Sequence, residues 1–265
     1  LFTLNEENYT LNYKIEVQFL KLQVMKNKVF LMLVCIIGVI YTTHGQTRNE
    51  TILKVSYIAN SMTPSMASIL KDQIPSEDQY SMMVEKISKY QMHYSLYLNT
   101  KTNESIFVLD SLSKEDGVSI AGYIDYVYTN PSGEFVGSEN FMGEQVMYRG
   151  NTLDFKWKLI NETRELNGKI CHKAISETYP YVSVWYLPEI PTQKGPGTFL
   201  GLPGLSFSAS DFFFFIEITE ISTDITNEEF DIVVENYRDK LNGKLLDYKN
   251  LLKSKDNTIN MMKRR

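Results

Sequence analysis

What most restricts the fold of this chain is an alternation of apolar and polar side chains with a period of two, repeated between short turn segments. In "LDFKWKLI", Leu153, Phe155, Trp157 and Leu159 share one face while Asp154, Lys156 and Lys158 take the other. Only a strand with one face on a core and one in water reads this way. "TILKVSY" repeats the pattern with Leu53, Val55 and Tyr57 against Lys54 and Ser56. "QMHYSLYLN", "ESIFVLDSL", "GEQVMYRG", "KICHKAIS" and "YVSVWYL" are further runs of ordinary strand length. Turn-forming stretches such as "TKTNE", "TNPSGE" and "NETRELNG" separate them. Strands joined locally by turns predict a mainly β fold built on an antiparallel sheet.

Two helices are expected beside that sheet. "PSEDQYSMMVEKISKYQ" offers Ser76 as N-cap, acidic residues in the first turn, and Tyr80, Met83, Val84 and Ile87 at helical spacing. "TNEEFDIVVENYRDKLNGKLLDYKNLL" offers Thr226 or Asn227 as cap. Phe230, Val233, Val234, Tyr237, Leu241, Leu245, Tyr248 and Leu252 then form one stripe, weakened at Gly243. The closing "KSKDNTINMMKRR" reads as a frayed tail.

The first methionine, Met25, opens "MKNKVFLMLVCIIGVIYTTHGQ". Lys26 and Lys28, an apolar run of thirteen residues from Val29 to Tyr41, and small residues at Thr43 and Gly45 follow the pattern of a secretory leader. The run is shorter than the roughly 20 residues that span a bilayer. The expected organisation is therefore upstream sequence over 1–24, a leader over 25–45 cleaved after Gly45, and one β domain with a C-terminal helix over 46–265. Cys35 lies within the apolar run without the small-residue pair of a lipidation site, so the mature chain keeps Cys171 alone and gains no internal disulfide. The formal charge of −5 and the lack of a basic stripe interleaved with aromatics speak against a nucleic-acid partner.

Residues 195–207, "GPGTFLGLPGLSF", hold four glycines and two prolines and run almost directly into "FFFFI". Pro203 and Gly204 suit the central positions of a type II turn, with positive φ at Gly204. "LSFSASDFFFFIEIT" is then expected as one long strand, covered on both faces over Phe212 to Ile216. A phosphate-binding loop would need a helix after the glycines and a lysine behind them. Here a strand follows, and Lys194 precedes the loop.

At these residues the chain resembles the GLPGLI proteins, a mainly secreted family of Bacteroidetes. "GLPGLS", Gly201 to Ser206, is similar to the name motif, with Ser206 at its last position. "VWYLPEIPTQKGPGTF" resembles the family's preceding segment through Trp185, Tyr186, Glu189, Ile190, Pro191, Gly195 and Pro196. Trp157, Gly168, Cys171, Lys173 and Ala174 also fit, while Lys169 stands where tyrosine is usual, and "ITNEEF" resembles the family's continuation. The resemblance implies export to the periplasm or cell envelope and no established activity. The order of Trp157, Cys171 and Trp185 strands is also similar to an open, curved antiparallel sheet of the periplasmic lipoprotein-carrier type, a half barrel with one or two packing helices. In that setting Gly195, Pro196, Gly201, Leu202, Pro203, Gly204 and Leu205 are motif residues of structural weight.

No catalytic constellation stands out. Cys171 and His172 are neighbours on a strand and point to opposite faces, so they do not form a thiolate and base pair. Cys171 reads as a small buried apolar residue. His93 and His172 lack the spacing of a metal site, and Ser206 and Ser208 lack a nucleophile elbow. Neither a metal nor a cofactor is expected. Glu189, between Pro188 and Pro191, is expected to bond backbone amides of the glycine-rich turn. Two functions follow. One is non-enzymatic binding of a lipid, another apolar ligand or an envelope protein on the concave face, in a continuous apolar cavity free of convergent titratable groups and walled by Trp157, Trp185, Tyr186 and Phe213. The alternative is an envelope hydrolase in which Glu189 meets His93, His172 or another acid near the loop that ends at Gly204.

Overall fold

A computed structural model describes residues 52–113, 117–179 and 181–264. The expected leader and the segment before it lie outside the described residues. The alternating segments form strands β1 (Ile52–Asn60), β2 (Met92–Asn99), β3 (Glu104–Leu112), β4 (Gly122–Thr129), β5 (Glu134–Phe141) and β6 (Glu144–Asn151). After them come β7 (Trp157–Leu166), β8 (Lys169–Ser176), β9 (Ser183–Leu187), β10 (Leu205–Ser210), β11 (Phe215–Ile225) and the two-residue β12 (Leu246–Asp247). All twelve join one open sheet in the order β12-β6-β5-β4-β3-β2-β1-β11-β10-β9-β8-β7. Every pairing is antiparallel except β12 with β6, which is parallel.

One connection dictates the shape of this sheet. β6 lies next to one end and β7 forms the other, yet only residues 152–156 join them, with a 3-10 turn at Thr152–Asp154. Ten strand spacings in a flat sheet cover about 48 Å. Six residues of extended chain reach only about 20 Å. The sheet must therefore curl until its ends approach one another. Phe155 in the link accordingly packs its ring 5.9 Å from that of Phe135 on β5. Register shifts in the β1–β11, β2–β3, β4–β5, β7–β8 and β9–β10 pairs supply bulges, which bend and twist strands.

Curling separates two cores. Val55, Tyr57, Leu96, Phe107, Phe135, Tyr148 and Val184 fill the inner face. Ile52, Ile106, Tyr126, Tyr128 and Val136 form a smaller layer on the outer face. α3 (Asn227–Arg238) covers that layer with Phe230 and Val234, and begins with the expected Thr226 cap, closed into a capping box by Glu229. At its other end Arg238 forks onto Glu104, with Nε–Oε1 and Nη2–Oε2 both 2.9 Å, while Tyr128 donates to the same carboxylate at 2.6 Å. α1 (Pro64–Gln73) starts at Thr63, whose hydroxyl accepts from Met66 N–H. α2 (Glu77–Lys89) starts at Ser76 as expected and buries Ile87.

Several expectations are corrected. "LDFKWKLI" is strand only from Trp157 onward, because its first residues are the link; Leu153 is 70% exposed there, and Leu159 is 54% exposed on the edge strand. The phenylalanine run does not belong to one long strand. Asp211 Oδ1 accepts from the N–H groups of Phe213 and Phe214, at 2.6 and 2.7 Å, and turns β10 back into β11. The run is apolar throughout because it is the buried tip of a hairpin. The long stripe likewise breaks after α3, passing through a 3-10 turn (Asp239–Asn242) and β12 before α4 (Tyr248–Lys263). α3 serves the outer core and α4 the inner one. The expected frayed tail is thus part of α4, with Lys255 and Ile259 buried. Four helices, rather than one or two, stand among the described residues.

The Arg238 clamp makes a stability prediction. Burial alone would push the Glu104 carboxyl up, but Arg238 and Tyr128 hold it below the usual carboxylate range. Its contribution is therefore present above that range and is lost as pH falls through the lowered value. Urea unfolding should show Arg238→Ala less stable by about 2 kcal/mol at pH 7. The gap should shrink at pH 3; an equal loss at both pH values would contradict the clamp.

Candidate functional site

The motif loop runs from Leu187 to Leu205, which pair with each other as β9 ends and β10 begins. Its glycines serve close approach and two left-handed positions. Gly204 does not take the positive φ expected of it; a Cβ there would lie 2.4 Å from Leu187 O, so only glycine lets the two segments meet. The left-handed residues are Gly197, φ +55°, and Gly201, φ +83°, and the Gly201 N–H donates to Gln193 O at 2.8 Å. Phe199, Leu200, Leu202 and Leu205 are buried in the inner core. Trp157 Nε1–H donates to Leu200 O at 2.8 Å, Tyr57 O–H to Ser206 O at 2.9 Å, and Tyr248 O–H to Thr198 Oγ1 at 2.8 Å. The loop is a plug inside the curl, tied to the edge strand β7 and to α4 and held where it enters β10 by central β1. Gly195, Pro196 and Leu202 are buried with it, and Pro203 is exposed.

Lys194 belongs to this plug. Its side chain is among the fully buried ones, and its Nζ donates to Asn130 O at 3.0 Å in the β4–β5 turn. Burial pushes the amine down to about 8, with the Glu104 charge opposing.

Next to the plug, α4 closes a cavity of about 50 Å³ against the inner face. Phe155, Trp157, Phe199, Phe213, Tyr248 and Ile259 wall it. Lys255 and Asp256 enter from α4 and Asp211 from the hairpin tip. Lys255 Nζ lies 2.7 Å from Glu139 Oε1, with the two side chains 9% and 2% exposed, and 5.4 Å from the centre of the Phe141 ring. Burial pushes the Asp211 carboxyl up, against the Lys255 charge and the two backbone N–H donors. Both Glu139 carboxylate oxygens and the Tyr148 hydroxyl are buried without a hydrogen-bond partner, Lys255 meeting Oε1 as an ion pair. Burial pushes the Tyr148 and Tyr248 hydroxyls well up, and the Glu139 charge adds to both.

The structure brings together some of the expected site residues and parts others. Trp157 and Phe213 meet at this cavity. Tyr186 is buried on the inner face, its ring 5.9 Å from His172. Trp185 falls on the outer face, cross-strand from Lys173 and Ser208. It borders a separate open cleft of about 630 Å³ there, with Arg164 and Lys173 5.4 and 5.6 Å from its ring centre. A single cavity walled by both tryptophans and free of titratable groups is therefore not what the fold builds. The alternation on β9 sends neighbours to opposite faces.

Glu189 does not bond the glycine-rich turn; it pairs with Lys169 at 3.2 Å on the exposed surface. His93 sits on β2 and His172 on β8, with β1, β11, β10 and β9 between them. Cys171 is buried, and burial pushes its thiol up to about 11. Among the described residues no three His, Cys, Asp or Glu side chains gather as metal ligands.

Sequence reasoning missed Lys255, Glu139 and Asp211. Tyr248, Leu251, Lys255 and Ile259 continue a helical stripe, but a lysine inside it reads as solvent-facing. Glu139 is in phase with Phe135 and Phe141 on β5, which was the available sign that it points inward.

The described residues thus form an open, mainly β domain whose curled sheet encloses its own loop and helix. Residues 175–207, from the end of β8 into β10, match a family model described as a protein of unknown function, Porph_ging. Among solved structures, two crystal forms of PNGF-II are similar at TM-score 0.42 and 13% identity over 76% of this chain. They are covered over 32% and 33% of their length, so the chain spans about a third of PNGF-II. An uncharacterised conserved protein from Thermus thermophilus is similar at TM-score 0.35 and 6% identity, over 75% of this chain and 91% of that one. No curated protein matches. Likenesses this distant leave the function to be argued from the site.

Lys194 makes the plug testable. Between pH 8 and the ordinary lysine value of 10.5, the unfolded chain keeps a proton that the folded chain has released, so this group raises stability as pH rises. Comparing chemical unfolding of the wild type and Lys194→Met from pH 7 to 10 should show the wild type gaining on the variant. A constant difference would mean that the amine is not held as described.

Proposed function

We propose that this is an exported, non-enzymatic binding protein of the GLPGLI type, acting in the periplasm or cell envelope, and that its ligand is a small apolar molecule held between the curled sheet and α4. The leader-like residues 25–45 and the "GLPGLS" motif support export and kinship. The match to a family of unknown function over residues 175–207 covers this same motif segment. One observation carries the binding reading. At the centre of its buried face, α4 places Lys255 against Glu139, where an apolar side chain would pack at least as stably. A helix held by such a pair over an aromatic wall is suited to leaving and returning.

The cavity of about 50 Å³ is far below the 300–1,000 Å³ of drug-sized sites. In this reading it is the closed form, and ligand enters as Tyr248, Leu252 and Ile259 of α4 withdraw from the wall. Trp157 and Phe213 remain as fixed walls, anchored by the Leu200 carbonyl and by ring contacts with Phe141.

Native mass spectrometry of gently purified protein tests the reading. An apolar small molecule should be retained by the wild type, and Trp157→Ala should lower its occupancy about tenfold, worth about 1.4 kcal/mol. An empty wild type, under conditions in which a lipid carrier keeps its cargo, would overturn it.

A further inference from the structure

We infer that the ligand of this same interior, granted the binding reading above, is a small hydrophobic primary amine whose ammonium group takes the place of Lys255 beside Glu139. The Lys255 side chain is itself a butylammonium on a helix. Its Nζ lies 5.4 Å from the centre of the Phe141 ring and 2.7 Å from Glu139 Oε1. The lid therefore carries a covalently attached copy of the chemistry that the inner face accepts: an alkyl stem among aromatic rings and a cationic head on a carboxylate.

The surroundings of Glu139 have acceptor capacity that Lys255 does not use. Oε2 of Glu139 has no hydrogen-bond partner, and neither does the buried hydroxyl of Tyr148. A primary ammonium carries three N–H donors and can engage a carboxylate and a phenol oxygen together. The ring of Tyr148 lies on Gly137, two residues before Glu139, where a Cβ would stand 2.6 Å from the Tyr148 oxygen. That places the phenol on the same inner face as the carboxylate.

Charge favours the same class of ligand. Lys255 is the cation lining this cavity, set against three carboxylates: Asp211 at the hairpin tip and Asp256 on α4, which line it, and Glu139 on β5, which Lys255 reaches. The other titratable side chains that sense the Glu139 charge are phenols: Tyr94 on β2, Tyr148 on β6 and Tyr248 on α4. A ligand carboxylate would add a fourth acid in a site with little water to screen it. An arriving ammonium would pair with Glu139 as Lys255 withdraws with α4 into solvent, so entry and helix release are one exchange.

Calorimetric titration with hexan-1-amine, hexan-1-ol and hexanoate at pH 7 tests this on the wild type, Glu139→Gln and Lys255→Met. The amine should bind the wild type at least about tenfold more tightly than the alcohol, and hexanoate more weakly than either. Glu139→Gln should erase the preference. Lys255→Met, which leaves Glu139 without its cation, should tighten amine binding about tenfold while changing the alcohol less than about threefold. Equal affinities in the wild type, or a preference for hexanoate, would overturn ammonium recognition and leave apolar binding standing. Failure of all three molecules to bind would overturn both. Should a variant not fold, the amine-to-alcohol ratio of the wild type decides the question alone.

Discussion

The short link from Asn151 to Trp157 is the constraint on which the rest of this structure depends. It ties a strand near one end of a twelve-stranded sheet to the strand at the other end, and a few extended residues cannot cover the width of a flat sheet. Curling follows from chain length alone. Once the sheet curls, its two faces cease to be equivalent: one becomes an enclosed interior lined by Tyr57, Phe107, Phe135 and Tyr148, the other a surface that needs only partial cover.

An enclosed interior has to be filled, and the chain fills it in two ways of different permanence. The motif loop enters with buried Phe199, Leu200, Leu202 and Leu205 and is fixed by hydrogen bonds from Trp157, Tyr57 and Tyr248. α4 enters with Tyr248, Leu251 and Ile259, but it also brings Lys255. A buried ion pair loses on desolvation much of what it gains in attraction, whereas apolar packing has no such penalty. The loop also buries a lysine, Lys194, but that amine ends on a backbone carbonyl of the β4–β5 turn, whereas Lys255 meets a buried carboxylate; on the binding reading proposed above, the loop is the built-in half of the filling and α4 the half that can be exchanged.

Much of the sheet was legible because period-two alternation is a local property. β1, β2, β3, β6 and β8 are where the side-chain pattern places them, and Ser76 and Thr226 cap the expected helices. Errors fall where a local pattern has two solutions. Phe212 to Phe214 could be a strand covered on both faces or a buried turn, and the side chain of Asp211 decides for the turn through two backbone N–H groups. The stripe from Phe230 to Leu252 has one helical phase in sequence, yet β12 interrupts it so that its halves serve opposite faces. Trp157 and Trp185 both read as wall residues, but which face each takes depends on register, fixed only once β8 and β9 pair. The phase of Glu139 with Phe135 and Phe141 marked it as inward, but its meeting with Lys255 and Asp211 could not be read, because long-range pairing, not spacing, brings them together.

Hydrogen exchange of the native protein, read residue by residue along Tyr248–Lys263 and along β1 and β2, tests the central claim most directly. If α4 is the exchangeable half of the filling, its amides open locally and exchange at least about a hundredfold faster than the slowest amides of β1 and β2, a difference of about 2.7 kcal/mol in opening free energy. If α4 exchanges only together with those central strands, in one global unfolding step, the helix is a fixed part of the core and the account fails.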